Sequence, residues 1–322
     1  MTRSYILGAL GTDWTETEEL FRASLATDVQ LLKDVNESIL HNNGKMLRPL
    51  LSLCMARACG CTDAAESHKL AAAVELLHNA TLLHDDVADL AEERRGRPTV
   101  NSIYGPVPAV LVGDFWLASA IGLVSESKHY RQLSEAFAKT VKDLVEGEML
   151  QQQKAFSSDT TEEDCLRIIY CKTGSLFELA CSMAVSVGGC PQEYRALASA
   201  YGTAIGYAFQ IKDDILDYVG KDLGKPVGID IREKKITLPL IGAMKNSGAE
   251  DEIRRLVAGI DRNPENPEKI HTFVLENGGI GYAEKRLEDY IAQACKAVSV
   301  LPGSEFKDIL IGLAEYNALR ER

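Results

Sequence analysis

Residues 69–90 read KLAAAVELLHNATLLHDDVADL. Ala, Leu and Val recur at helical spacing, and no Gly or Pro interrupts them, so the spacing predicts one long helix. It ends in Asp85-Asp86-x-x-Asp89. Residues 193–219, EYRALASAYGTAIGYAFQIKDDILDYV, repeat the design and end in Asp213-Asp214-x-x-Asp217. A carboxylate buried in such a segment must be paired, protonated or bound to a cation. Positions i and i+4 share a helix face, so Asp85 and Asp89 point the same way with Asp86 alongside. Asp213, Asp217 and Asp214 repeat the arrangement. Carboxylate-rich oxygen clusters suit hard cations such as Mg2+, which usually takes one or two carboxylates plus phosphate oxygens. A charge run is more often a solvated face. The apolar flanks of both clusters argue against that here, and two facing helices holding a metal-bridged phosphate are expected.

The rest of the chain reads as helix. Residues 131–156, 162–189 and 278–322 show the same periodicity, the last as two helices split by Leu301-Pro302-Gly303. Breaks fall at NNGKMLRP (42–49), RRGRPTV (94–100), GGCPQEY (188–194), GKDLGKPVGIDIREKK (220–235) and DRNPENPEK (261–269). Each contains residues that stop helices. None is long enough to link domains, and no alternating strand pattern stands out. The expected fold is all-α, one domain over residues 1–322.

The bulk numbers narrow the function. The chain has 322 residues, a net charge of -12 and 46% hydrophobic residues. That is a globular profile, and the charge argues against a nucleic-acid surface or polybasic membrane anchor. No apolar run of transmembrane length is evident, and no secretory cleavage site is expected in the first residues. Eight cysteines lie mostly in apolar stretches, which suits reduced core thiols in a cytosol. Cys54, Cys59 and Cys61 fall close together, but without the paired spacing of a metal site.

Cations accompany the carboxylates. Lys45 and Arg48 lie in a tight break, Arg94, Arg95 and Arg97 follow the first cluster, and Lys225 and Lys235 follow the second. Lys172-Thr173-Gly174 sits within a strongly apolar helix. Arg forks match phosphate oxygens, and Lys serves as a point charge. Together they describe a site for diphosphates.

With these elements in order, the chain resembles the trans-isoprenyl diphosphate synthases, the polyprenyl synthetase family. The match runs from NNGKMLRP to the C-terminus and rests on GKMLRP (44–49), DDVADLAEERRGRPT (85–99), Lys172-Thr173 and FQIKDDILDYVGKDLGKPVGIDIREKKITLPL (209–240). The Asp217–Lys225 loop is a little shorter than in many relatives. The resemblance implies long helices around a deep central cavity (the isoprenoid synthase fold), a homodimer and three Mg2+ ions. Asp85, Asp86 and Asp89 would bind two ions, and Asp213, with Asp214 and Asp217, the third. Arg94, Lys172, Lys225 and Lys235 would hold an allylic diphosphate, farnesyl or geranyl. Lys45, Arg48, His78 and Arg95 would hold isopentenyl diphosphate, while Thr173 and Gln210 would face the reacting carbon. The activity implied is Mg2+-dependent head-to-tail prenyl transfer in the cytoplasm, with membrane contact only for product release.

Product length follows from the helix before Asp85. Short-chain members carry bulky aromatics four and five positions before the first Asp; here stand Thr81 and Ala80, with Leu77 and Val74 further down. An open floor predicts a product longer than farnesyl, of the quinone side-chain type, or geranylgeranyl if Leu77 closes it. Two other readings compete. Glu75-x-x-His78 and Glu268-x-x-His271 have the spacing of a di-iron helical bundle, though iron would not explain the Asp clusters and their cations. A non-catalytic subunit of a heteromeric synthase would be expected to lose one Asp motif, and both are whole.

Overall fold

The computed structural model describes residues 2–41, 44–94, 96–220 and 228–319. Among these residues it is helical apart from one two-stranded antiparallel pair, Glu93–Arg94 with Arg97–Pro98. The chain groups into two compact units. One comprises Met1–Ala138, Leu179–Ser199 and Leu301–Leu310; the other comprises Lys139–Glu178, Ala200–Val300 and Ile311–Arg322.

In the first unit the Ala64–Ala88 helix is the central element. Asp63 caps its N-terminus by accepting the Glu66 backbone N–H at 3.4 Å, satisfying a donor that the helix leaves open. Leu70, Val74, Leu76, Leu77 and Ala80 along it are buried. Each fully buried Leu or Val contributes about 1.5–3 kcal/mol. The helix packs on Thr12–Ala23, Leu47–Ala58 and Pro106–Ser125. Trp116 is enclosed: its Nε1–H donates to Asn36 Oδ1 at 2.8 Å and its ring meets Phe21 edge-on at 5.7 Å.

In the second unit, Ile211, Ile215 and Tyr218 share a core with Leu238, Leu240, Ile241, Ile270, Val274 and Leu287. The helical stretch expected over 162–189 contains a change of pitch. Residues Glu162–Ile169 and Ser175–Val187 are α-helical, and Tyr170–Gly174 between them is a π-turn. The turn is held on two sides by glycines. A Cβ on Gly206 would lie 2.4 Å from Gly174 Cα, and one on Gly147 would lie 2.6 Å from Cys171 Cβ. Backbone can approach that closely only where no side chain intervenes.

Two helices, Pro106–Ser125 and Glu162–Val187, are long and apolar enough to cross a membrane by length and composition. This corrects the expectation that no such stretch exists. Glu162–Val187 is mostly buried inside the protein, as a core helix is.

Glu162, at the start of its helix, accepts from Tyr282 Oη at 2.7 Å and Arg286 Nε at 3.0 Å, and pairs with Lys245. Burial alone would raise its carboxyl, but Lys245, Arg286 and Tyr282 together hold it at about 2, below the ordinary 4.5. A depressed acid stabilises the fold above its unfolded value, and that contribution disappears as pH falls through the folded value. Glu162→Gln should therefore lower the melting temperature at neutral pH. The gap from the parent should close between pH of about 4.5 and about 2 in parallel thermal melts.

Candidate active site

The first Asp motif splits into two environments. Asp85 is half-buried, and Asp89 is exposed at the C-cap, its N–H donating to the Asp85 carbonyl at 2.8 Å. Asp86 is only 5% exposed and receives the Arg94 Nε–H at 2.7 Å. Burial pushes the Asp86 carboxyl up, with the Arg94 charge pulling it back. Arg94 is placed by the short antiparallel pair, whose turn is made at Gly96 with φ +73°. Thr99 Oγ1 donates to the Ala91 carbonyl at 2.7 Å and Asn101 Nδ2 to the Asp86 carbonyl at 3.3 Å, fixing the segment back onto the helix end. A cavity of about 260 Å³ beside this pair is lined by Asn79, Leu82, Leu83, Asp86, Arg94 and Arg97 among others.

Lys45, exposed, lies in the break before the Leu47–Ala58 helix, where Met46 takes the left-handed conformation. Arg48 is already in that helix's first turn and half-buried. His78 is half-buried, and its carbonyl accepts the Thr81 hydroxyl at 2.8 Å. Ala80 and Leu77 are each 1% exposed, and Thr81 is half-buried. Arg95 and Lys225 lie outside the described residues.

The second unit draws its predicted residues together. Thr173 Oγ1 donates to Gln210 Oε1 at 2.9 Å, and Gln210 Nε2 donates to Asp214 Oδ1 at 3.0 Å. The π-turn presents Thr173, and Lys172 beside it pairs with Glu148. A cavity of about 160 Å³ is lined by Lys172, Gln210, Asp214, Asp230, Lys235 and Gln151 among others. Asp213 and Asp217 lie four apart on the same helix, both half-buried. Asp217 holds the neighbouring short helix in place: its two oxygens accept the N–H groups of Ile229 and Asp230, each at 3.1 Å.

Three residues of this site escaped the sequence reading. Asp230 is a fourth carboxylate of the second cluster, Glu148 is the partner of Lys172, and Gln151 lines the cavity. Asp230 had a signal, since it lies within the quoted 209–240 stretch. Glu148 and Gln151 had none, because nothing in their helix marks which face meets Lys172.

The electrostatics fit a divalent cation. Burial drives the Asp214 carboxyl well above its ordinary range, and the charge of Asp230 adds to this. Burial likewise brings Asp230 up to about 6, against the pull of Lys235. Lys235 Nζ lies 3.9 Å from Asp230 and 2.5 Å from Glu233. Burial also raises Asp217, against its two backbone donors. The Glu148 carboxyl, which burial would raise, is brought below its ordinary value by Lys172. Carboxylate oxygens crowded in this way are the donors that Mg2+ prefers. Among the described residues no three His, Cys, Asp or Glu side chains form a ready-made cage. The di-iron alternative loses its second pair: Glu268 is exposed, and His271 stacks on Tyr218 with Nε2 at 2.9 Å from the Tyr218 carbonyl.

Comparison with known proteins agrees. The polyprenyl synthetase family model matches residues 29–276. An all-trans-nonaprenyl-diphosphate synthase (geranyl-diphosphate specific) of Rhodobacter capsulatus is 39% identical over 96% of this chain and 95% of its own. The octaprenyl diphosphate synthase of Escherichia coli is 37% identical over 92% of this chain and 93% of its own. The crystal structure of a decaprenyl diphosphate synthase from Rhodobacter capsulatus superposes with a TM-score of 0.91 at 33% identity, covering all of both chains. The chain belongs to the polyprenyl synthetase family, a family of Mg2+-dependent prenyltransferases with the all-α isoprenoid synthase fold.

Proposed function

We propose that this protein is an all-trans polyprenyl diphosphate synthase. It joins isopentenyl diphosphate head to tail to an allylic diphosphate and extends the product beyond farnesyl, to a quinone side-chain length. The observation that carries this is the Thr173–Gln210–Asp214 chain, whose Gln210 and Asp214 line one cavity with Lys172, Lys235 and Asp230. The long-chain relatives and the small Ala80 and Thr81 before Asp85 support the length.

Bound Mg2+, three ions on the family pattern, would supply the positive charge that stabilises a departing diphosphate. Asp85 and Asp89, and Asp213 with Asp214 and Asp217, would hold it. Asp86 acts through Arg94, which its carboxylate keeps aimed. Lys172, Lys235, Arg94 and Lys225 orient the allylic diphosphate; Lys45, Arg48, His78 and Arg95 orient isopentenyl diphosphate. The C–O bond of the allylic substrate breaks, the double bond of isopentenyl diphosphate attacks the allylic carbon, and the released diphosphate takes the proton. Thr173 and Gln210 turn oxygen dipoles toward that carbon while apolar walls keep water out.

The protein works as one 1–322 catalytic domain in a homodimer, in the cytoplasm, touching a membrane only to release product. The exposed Val107, Leu111 and Ile121 along one helix support a partner there, and the mostly buried cysteines suit a reducing compartment.

The test is a product ladder from Mg2+, labelled isopentenyl diphosphate and farnesyl or geranyl diphosphate. A long product lost on adding EDTA supports the proposal. A stop at geranylgeranyl places the floor at Leu77, and no product from either primer favours the non-catalytic subunit. Ala80→Phe should shorten the ladder by several isoprene units, since the side chain it replaces is buried just before Asp85. An unchanged ladder removes Ala80 from the tunnel.

A further inference from the structure

The turn that precedes the Ala64–Ala88 helix carries chemistry that prenyl transfer does not use. Thr62 and Asp63 donate their N–H groups to the Gly188 carbonyl at 2.8 and 3.0 Å, and Thr62 Oγ1 donates to the Gly189 carbonyl at 3.2 Å. This clamps the 59–63 turn onto residues 188–190 of the same unit. The approach is close enough that a Cβ on Gly188 would sit 3.2 Å from Cys61 Sγ. One carbonyl, that of Ala56, accepts both the Cys61 N–H at 2.9 Å and the Cys190 thiol at 3.5 Å. Both cysteines thus converge on the Ala56 carbonyl. Cys61 is half-exposed, whereas Cys190 is 5% exposed.

The surroundings of Cys61 favour its thiolate. Its sulfur lies 3.3 Å from the Ser67 hydroxyl, just ahead of the positive end of a long helix. The Cys190 contact is the largest influence; with these donors and the Arg57 charge it outweighs burial and brings the Cys61 thiol down to about 6. That same contact and burial push the Cys190 thiol up. Arg57 is shared with Asp13, which it holds at 2.5 Å, and the Asp63 carboxylate is drawn off to Lys128 at 3.0 Å. Cys54 and Cys59, by contrast, are buried and their thiols are raised by burial, Cys59 to about 12. A half-exposed thiolate beside a sheltered second thiol is the arrangement of an attacking and a resolving cysteine.

We propose that Cys61 is a modification site for small disulfides of the glutathione class, and that Cys190 resolves the adduct. The Cys61 thiolate attacks one sulfur of the disulfide, the S–S bond breaks, and one thiolate leaves. Cys61 then carries a mixed disulfide. The Cys190 sulfur attacks Cys61, a Cys61–Cys190 bond forms, and the second small thiol departs with the Cys190 proton. The two protein thiols are oxidised and the small disulfide is reduced to two thiols. The bond staples the turn ahead of the first Asp helix to residues 188–190.

The experiment uses the full-length protein, reduced and freed of reductant. It is treated with oxidised glutathione near neutral pH, quenched with N-ethylmaleimide and mapped by mass spectrometry. The expected product is a peptide pair linked through Cys61 and Cys190 that dithiothreitol reverses. Cys190→Ser should leave glutathione on Cys61, and Cys61→Ser should abolish both products. Without glutathione, N-ethylmaleimide should label Cys61 at least about tenfold faster than Cys54 or Cys59. Equal labelling rates, a link from Cys61 to Cys59, or glutathione that stays on Cys61 in the unaltered protein would each overturn the proposal. If Cys190→Ser does not fold, the map of the unaltered protein decides alone.

Discussion

Asp85→Asn should lower kcat by about 10²–10³-fold while leaving the fold intact. The side chain is half-buried at the less enclosed edge of the first motif. Replacing carboxylate by amide keeps its shape and removes one charge from the group that would hold the metal-bound diphosphate. Loss of a single well-placed electrostatic contact to a developing charge has that cost. The Mg2+ concentration for half-maximal activity should rise together with the fall in kcat. Asp86→Asn, one residue on, should behave differently. Asp86 is buried and meets Arg94 at 2.7 Å, so the variant leaves a guanidinium without its counter-charge and loosens the Glu93–Pro98 turn. Its Tm should drop by several degrees, and its Mg2+ dependence should stay near the parent's. Parallel melts and Mg2+ titrations separate the two. Identical behaviour of both variants would mean that the motif acts as one uniform cluster, against the division of roles drawn from the burial of Asp86.

Gly206→Val should destabilise the protein by about 1–3 kcal/mol or more and should cost activity as well. Even a bare Cβ at this position would lie 2.4 Å from Gly174 Cα and 3.1 Å from Gly174 N, so backbone rather than a flexible side-chain tip must give way. Gly174 closes the π-turn that presents Thr173, and Thr173 reaches Gln210 across this same crossing. Displacement there lengthens the 2.9 Å hydrogen bond and moves Lys172 from Glu148. Gly122→Ala serves as the control. Its Cβ would meet nothing within 4 Å, and in a helix interior the change should stabilise by about 0.5–1 kcal/mol. Thermal melts give the first comparison and turnover under saturating substrate gives the second. Full activity in Gly206→Val would detach the π-turn from catalysis.

These two sites mark what a linear reading can and cannot reach. The Asp motifs, Lys172-Thr173 and the long helices carrying them are local in sequence, since periodicity and composition encode them directly. The π-turn is different. Gly174 alone in Tyr170–Gly174 is a strong helix-weakening residue, and it does not foretell a π-turn; the close packing there depends on glycines at 147 and 206, far away in the chain. The Asp86–Arg94 pair is likewise set by a turn at Gly96, which spacing alone does not show. Asp230 becomes part of the second cluster only when the Ile229–Arg232 helix is docked by the Asp217 oxygens.

The Thr173–Gln210–Asp214 chain has a polarity. Asp214 Oδ1 accepts, so it selects the NH2 end of the Gln210 amide. The amide oxygen is then left for the Thr173 hydroxyl, whose single proton goes to it. The hydroxyl lone pairs must therefore face away from Gln210, leaving the negative pole of the last dipole available to an electron-deficient carbon. A buried carboxyl oxygen thus orients a hydroxyl dipole two hydrogen bonds away.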